Sequence, residues 1–463
     1  MQPHPEPLPS LLARLDEAAL YHRAEDRGFF TLLWAEPDAA PGHRPPALKI
    51  QRAYRLDVLP QIIAALDPER DTWISQAEFH RPNRRIVHLL RLGLCFVDLD
   101  TYKTPHGENR PETLLGRFLG HCGDEDVPLP SLVIYSGRGL QAKWLLERPL
   151  PRAALPRWNA VQKELVARLE PFGADPGARD ASRVLRLVDT VNTRSGERVR
   201  VLWVQRHAED VRRYPFEWLA ETLLPVSREA LQRKRQPPSH STPPTAPRTP
   251  LQVIPGGKTG NLRVFSGRQL AWDRLEDLRK LAQMRGWIEH GIPHGYRSKY
   301  VHWCLNFLLL SGAIPANQLY LEAQALVREV CPDFDKDVRS VLSTLYRKAK
   351  AYEAGERIEF GGRIYPPLYT PRNRTLLALF DVQDDEMKAL KTIITPEEAR
   401  NRDAERKQQK RQKGGSARRD SYLETAEQRR VEAQLRRGKG ESLRQIAAVL
   451  GVSPEAVRKM LKG

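Results

Sequence analysis

Residues 95–100 read CFVDLD, an apolar run that closes on two aspartates one residue apart. In an extended chain, positions i and i+2 share a face, so Asp98 and Asp100 point together while Leu99 turns towards a core. Two carboxylates held that close repel each other unless a cation sits between them. Mg²⁺ and Mn²⁺ favour carboxylate oxygens combined with substrate phosphate, so the pair is a candidate seat for divalent ions in nucleotidyl transfer. The competing reading is a turn at a strand exit, in which an aspartate caps the following loop.

Two further clusters weigh on that choice. SGRGL (136–140) sets Arg138 between two glycines, where a tight turn brings backbone N–H groups and a guanidinium fork towards an anion. The strand that follows places Gln141 and Lys143 on one face. FGADPGARDASRVLRLVDTVNTRSG (172–196) offers Asp175 and Asp180, then Arg183 and Arg186, then Asn192 and Arg194. Phosphoryl transfer needs a further carboxylate and several cations for phosphate oxygens, and this segment holds both. A solvated charged loop explains one such cluster; three in one domain, each beside an expected strand, favour a site.

Those residues need a scaffold. DTWISQAEF (71–79), LCFVDLD (94–100), SLVIYS (131–136), GLQAKWLLE (139–147), SRVLRLV (182–188) and RVRVLWVQ (198–205) read as strands, and NRRIVHLLRL (83–92) and LPRWNAVQKELVARLEPF (155–172) have helical spacing. The acids therefore sit in an α+β or α/β domain with mixed connections, expected over residues 46–225. A Pro-rich, largely irregular segment (1–45), with a short helix near LLARLDEAALYHRAED, precedes it. A Pro-rich linker (226–260) follows, then a helical domain (261–397) with four close-spaced helices over 261–355 that suggest a bundle. A polar, basic tether (398–420) leads to the last segment (421–463). There two short helices flank LGVS, with Ser453 as N-cap and Pro454 at the first helical position.

At 463 residues the chain is long enough for several domains. Its 75 Lys and Arg against 57 Asp and Glu give a net charge of +18, which favours a polyanionic partner such as nucleic acid. Half of that excess lies after residue 400. No apolar run is long enough to span a membrane and the N-terminus has no signal-peptide pattern, so a cytoplasmic location is expected. Cys95, Cys122, Cys304 and Cys331 form no C-x-x-C pair and read as buried thiols. GGKTGN (256–261) lacks the glycine a phosphate loop needs at position 252, where Gln stands, so no motor ATPase is evident. ESLRQIAAVLGVSPEAVRKMLKG (441–463) looks like a helix-turn-helix, whose second helix would present Arg458, Lys459 and Lys462 to the major groove.

FVDLD, SGRGLQ and ADPGARDASRVLRL, in this order, resemble the three motifs of the archaeo-eukaryotic primase superfamily. The likeness is nearest to the plasmid and mobile-element replication primases of the RepB′ type. It covers roughly residues 70–205, and the helical segment 261–355 is similar, less specifically, to the helical domain that follows such cores. The resemblance implies an α+β primase catalytic core (an RRM-like mixed sheet with helices), then an all-α bundle and a C-terminal helix-turn-helix.

It also implies Asp98, Asp100 and Asp175 as catalytic ligands of two Mg²⁺ or Mn²⁺ ions, with Asp180 the rival for third place. Ser136, Arg138, Gln141, Lys143, Arg183 and Arg186 would bind the nucleoside triphosphate. Gln141 departs from the histidine usual at its position and can neither add charge nor move a proton. Such a protein would make primers on single-stranded DNA, bind duplex DNA through its C-terminus, and work with a helicase and a host DNA polymerase in a bacterial cell, on a plasmid or mobile element. Trp73, Phe79 or Trp203 would be available to stack on template bases, though each is better explained as a core aromatic. Two other classes stay open: a non-enzymatic origin-binding initiator or regulator with a degenerate primase fold, and a metal-dependent nuclease or relaxase. The relaxase ranks last because the twelve histidines include no H-x-H pair.

Overall fold

The computed structural model describes residues 16–24, 26–35, 49–207, 210–224, 258–331, 334, 337–413 and 419–461, with backbone alone for 258–266 and 410–424. The expected linker at 226–260 and the first part of the Pro-rich segment lie almost wholly outside these residues. The chain divides into two compact units, Met1–Val382 with Ala389–Ile393, and Gln383–Lys388 with Ile394–Gly463.

The first unit is built on a nine-stranded antiparallel sheet. Its strands are β1 (Phe29–Ala35), β2 (Lys49–Arg55), β3 (Thr72–Ser75), β4 (Glu78–Phe79), β5 (Leu89–Leu99), β6 (Leu132–Tyr135), β7 (Leu140–Pro151), β8 (Val184–Arg186) and β11 (Arg200–Val204). A separate pair, β9 (Val191–Asn192) and β10 (Glu197–Arg198), lies between the last two in sequence. The spatial order is β11-β6-β7-β5-β4-β1-β3-β8, with β2 on the other edge of β1. A mixed α+β core with a large sheet is therefore present, as the alternating patterns required.

Two local expectations are corrected. NRRIVHLLRL is not a helix: Ile86–His88 form one 3-10 turn and the strand starts at Leu89. Its apolar residues fit either period, and pairing with β7 over Leu92–Leu99 decides for the strand. The segment 1–45 is not irregular throughout either, because FFTLLWA forms β1 near the middle of the sheet. Its aromatic and apolar run buries Phe30 and Leu32 completely.

β4 covers only the first residues of β5, so the rest of that edge needs another partner. The helix α3 (Leu155–Arg168) supplies it, as do α1 (Leu59–Ala64), α2 (Pro111–Asp124) and α4 (Phe216–Leu223) for other parts of the core. In α3, Trp158, Val161, Gln162 and Leu165 recur on one buried face. Trp158 Nε1 donates to the Leu94 carbonyl at 2.9 Å, and the Gln162 amide takes both the N–H and the C=O of Phe96 at 3.0 Å. Gln162 thus substitutes for a missing strand, which removes the cost of two buried orphan groups.

The helical part comprises α5 (Lys258–Met284), α6 (Trp287–His290), α7 (Arg297–Ser311), α8 (Leu319–Val330), α9 (Val338–Glu353) and α10 (Asn373–Phe380). It packs on the core within the same unit. Arg85 bridges Glu322 at 3.2 Å and Glu329 at 2.9 Å, and Arg152 reaches Glu276 at 2.7 Å. All four cysteines are buried and free. Among the described residues, no helix is long and apolar enough to cross a membrane.

The second unit holds most of α11 (Asp384–Ala389), then α12 (Pro396–Lys413), α13 (Arg419–Gly438), α14 (Leu443–Leu450) and α15 (Pro454–Met460). The tether expected from residue 398 is helical as far as Lys413, because Glu, Ala, Arg, Lys and Gln are good helix formers. Thr395 Oγ1 accepts from the Glu398 N–H at 3.2 Å, and Glu398 pairs with Arg402 at 2.7 Å one turn on. Ala433, Ile446, Ala447 and Val457 make a small core beneath α13, α14 and α15. Ser442 and Gln445 form a capping box, Gly451 ends α14 at φ +62°, and Ser453 caps α15 by accepting from Ala456 at 3.2 Å.

Candidate active site

The acids converge because two distant stretches of backbone pair with each other. Past Val97, strand β5 carries Asp98 opposite Gln141 of β7, with Leu99 buried on the far face. The 173–175 stretch then runs alongside: Leu99 bridges Ala174, Asp100 N–H donates to Gly173 O at 2.8 Å, and Asp175 N–H donates to Asp98 O at 3.0 Å. Gly173 makes the approach possible. It sits at φ +75°, and a Cβ there would lie 2.7 Å from the Asp100 carbonyl oxygen. Asp98, Asp100 and Asp175 are thereby carried on one continuous ladder, 74 residues of chain having folded between the second and third.

Their charges interact. Burial first, then Asp100 and Asp175, push the Asp98 carboxyl up to about 7, against the pull of Arg183 and Arg186. Asp180 has no part in this. It accepts from Ser182 N at 3.0 Å and pairs with Arg183 at 3.1 Å, so its oxygens serve the turn that leads into β8.

The donor set has the chemistry of a divalent-metal seat: hard carboxylate oxygens that repel one another, with Asp98 accepting no hydrogen bond from the described residues. As placed, Asp100 reaches Lys103 at 2.5 Å and Asp175 accepts from Gly177 N–H at 2.8 Å, each through one oxygen. Among the described residues, no three His, Cys, Asp or Glu side chains are gathered tightly enough to ligate one ion in these rotamers. The set fits in kind, and the second oxygens of Asp100 and Asp175 are the ones left to complete it.

A cavity of about 550 Å³ opens in front of Asp98 and Asp100, lined also by Ser136, Arg138, Gln141, Arg183, Arg186, Asn192 and Arg194. The Gly-Arg-Gly turn shapes its rim in a way the sequence did not reveal. Gly139 is required by packing, because a Cβ would meet the Leu99 carbonyl oxygen at 2.2 Å. Its N–H is not offered to an anion but donates to Ser136 Oγ at 3.3 Å. Gly137 holds φ +89° beside Asn192, whose amide donates to Ser136 O at 2.9 Å. Arg138 stacks its guanidinium over Tyr102 at 3.9 Å, which holds the fork at the cavity. Gln141 lines the cavity, is 2% exposed, and its Oε1 has no hydrogen-bond partner among the described residues.

Lys143 is a correction. It shares the face of Gln141 but is fully buried beyond the cavity, where its ammonium pairs with Glu17 and lies 4.8 Å from the Tyr21 ring centre. Burial lowers its pKa, with Glu17 opposing. Two residues further along a strand is almost 7 Å, enough to pass from the site into the core.

Several cavity residues were missed. Lys49, at the start of β2, and Arg84 both line it, and Lys49 and Arg186 each lie 4.7 Å from the Trp73 ring centre. Asp71 pairs with Arg186 and accepts from Thr193 N–H at 3.2 Å, fixing the guanidinium. The basic run RPNRR (81–85) was a visible signal for Arg84; Lys49 and Asp71 had none. Of the candidate stacking residues, Trp73 is at the cavity, Phe79 is core, and Trp203 is partly buried on β11. In the second unit Arg458 and Lys459 are exposed on α15, while Lys462 lies outside the described residues.

No family model matches the chain. It is 26% identical over 332 residues to a replication protein of Clostridium perfringens, covering 71% of this chain and 69% of that protein. Among solved structures, it is similar to the archaeo-eukaryotic primase domain of the cyanophage S-2L primase-polymerase, at 16% identity and TM-score 0.32 over 45% of this chain and 95% of that one. It is also similar to primase RepB′, at 14% identity and TM-score 0.29 over 73% and 97%. A third likeness is to the RepB′ catalytic domain in complex with initiator DNA, at 16% identity and TM-score 0.27 over 47% and 95%. The comparisons thus return one replication protein and three primase structures.

Proposed function

We propose that the protein is a DNA primase of a plasmid or mobile-element replication system, a nucleotidyltransferase that makes primers on single-stranded DNA. The observation that carries this is the backbone ladder that sets Asp175 beside Asp98 and Asp100, the last two lining a cavity rich in arginine. Two Mg²⁺ or Mn²⁺ ions held by these three carboxylates would supply the Lewis acidity that activates a 3′-hydroxyl and stabilises the leaving pyrophosphate. Arg138, Arg183 and Arg186 bind the triphosphate oxygens, each oriented by its own partner: Tyr102, Asp180 or Asp71. Gln141 hydrogen-bonds the nucleotide through its otherwise unpartnered amide. Ser136 and Asn192 hold the turn.

The second unit binds duplex DNA as a helix-turn-helix, with α15 as the recognition helix and Arg458 and Lys459 on its exposed side. A helicase and a host DNA polymerase complete the system, since the chain carries no phosphate-loop motif of its own. The alternative is an initiator that uses the fold only to grip DNA. It is favoured by the carboxylates not being gathered for an ion as placed. Incubation with single-stranded template, Mn²⁺ and labelled ribo- or deoxynucleotides separates the two. Primers from the wild type and none from Asp98→Ala are expected; synthesis undiminished in Asp98→Ala, or absent from the wild type, rejects the enzyme.

A further inference from the structure

A second basic cavity, of about 480 Å³, lies where α3 and the turn 176–180 face the helical part. Its cations come from three separate elements: Lys163 of α3, Arg179 of the turn, and Arg268 of α5. None of the three has a hydrogen-bond or ion-pair partner among the described residues, and the Nε of Arg268 is buried without one. Arg268 lies against Gly312, whose Cβ position would be 3.8 Å from the guanidinium. The cations also disturb one another. Burial and then Arg268 hold Arg179 below its usual pKa, and burial, Arg268 and Arg179 do the same to Lys163.

The nearby acids offset this only in part: Glu353 raises Arg179 and Glu164 raises Lys163, while Glu353 also accepts from Ala316 N–H at 2.5 Å, Glu164 pairs with Arg168 at 3.0 Å, and Asp180 pairs with Arg183. Leu309, Ala313 and Ile314 give the cavity an apolar wall, which strengthens any charge interaction inside it. Converging cations that are mutually destabilised, unpaired and set in a concave wall are the signature of a site whose counter-charge arrives with a ligand. Arg183 lines both this cavity and the one before Asp98.

We propose that Lys163, Arg179 and Arg268 form a second phosphate-binding site, separate from the catalytic cavity and joined to it through Arg183. Its ligand is a phosphate-bearing strand or nucleotide, held either by a terminal 5′-triphosphate or by backbone phosphates. The choice of ligand rests on the primase reading. Binding is therefore measured in EDTA without synthesis, so the two proposals fail separately.

The probes are a short labelled single strand ending in 5′-triphosphate, the same strand with a 5′-hydroxyl, and inorganic tripolyphosphate as competitor, read by fluorescence anisotropy. Arg179→Gln/Arg268→Gln, which keeps side-chain bulk, is expected to weaken binding at least tenfold. A thermal melt matching wild type shows that it is folded, and Lys163→Gln gives a milder second variant on a different element. Loss confined to the triphosphate strand, with tripolyphosphate competing in the wild type, assigns the site to a 5′ end. Equal loss on both strands assigns it to backbone phosphates. Variants that bind all three probes as wild type does overturn the proposal.

Discussion

Lys143 offers the most direct test of where the site ends and the core begins. Its ammonium and the Glu17 carboxylate are both fully buried, 126 residues apart in sequence, with Tyr21 hydroxyl 3.4 Å from the ammonium. Lys143→Met removes the cation but keeps the stem, leaving an unpaired carboxylate in the interior. Loss of one partner from a buried pair costs about 3–5 kcal/mol. Replacing both, as Lys143→Met with Glu17→Leu, fills the space with apolar groups and is expected to fall within about 2 kcal/mol of wild type, because the pair's own desolvation cost disappears. Gln76 still reaches the Tyr21 hydroxyl at 3.5 Å in that variant. The cycle can be run in urea with tryptophan fluorescence. All nine tryptophans precede residue 304, so the signal reports the first unit alone. A single variant as stable as wild type, but with a raised KM for nucleotide, would place Lys143 in the cavity and refute the reasoning.

Other outcomes follow from the same geometry. Gly139→Ala drives a methyl group into the Leu99 carbonyl and must displace the end of β5, so a loss of about 1–3 kcal/mol is expected together with loss of primer synthesis; a melt and an extension assay check it. Asp71→Asn should release Arg186 and raise the KM for nucleotide more than it lowers kcat, as steady-state kinetics will show. Glu329 is held at about 2: burial would raise its pKa, but His88, Arg279 and Arg85 outweigh it. Its contribution is present above about pH 4.5 and disappears as pH falls towards 2, amounting to about 3 kcal/mol. Glu329→Gln should therefore be less stable at pH 7 and show a flatter stability profile across that range. Arg458→Ala/Lys459→Ala should weaken duplex binding and reduce its salt dependence, measured by anisotropy at several ionic strengths.

The legible parts of this molecule were those decided locally. Short apolar runs marked β5, β6 and β7, and the i, i+2 rule put Asp98 and Asp100 together; Ser453 and Pro454 announced the start of α15 in their own side chains. What stayed hidden was decided by distant partners. Whether Lys143 serves the site or the core depends on Glu17, and nothing within a few residues of Lys143 records that choice. The segment at 83–92 fits a helix until β7 claims its second half. Asp71, which orients Arg186, sits far upstream on a strand approach with no motif around it. The glycines of 136–140 were visible, but the purpose of Gly139, to let β7 and β5 meet at Leu99, needed the neighbouring strand.

The pairing of Leu99 with Ala174 has a bearing on how the chain tolerates change. Everything from 101 to 172 is, topologically, a long detour that leaves a strand tip and comes back to it. Helix α2, within that excursion, carries none of the main-chain bonds that clamp the excursion's two ends, whereas β7 and α3 hold the strand itself. Resilience of this kind would let α2 vary while the three acids keep their mutual distances.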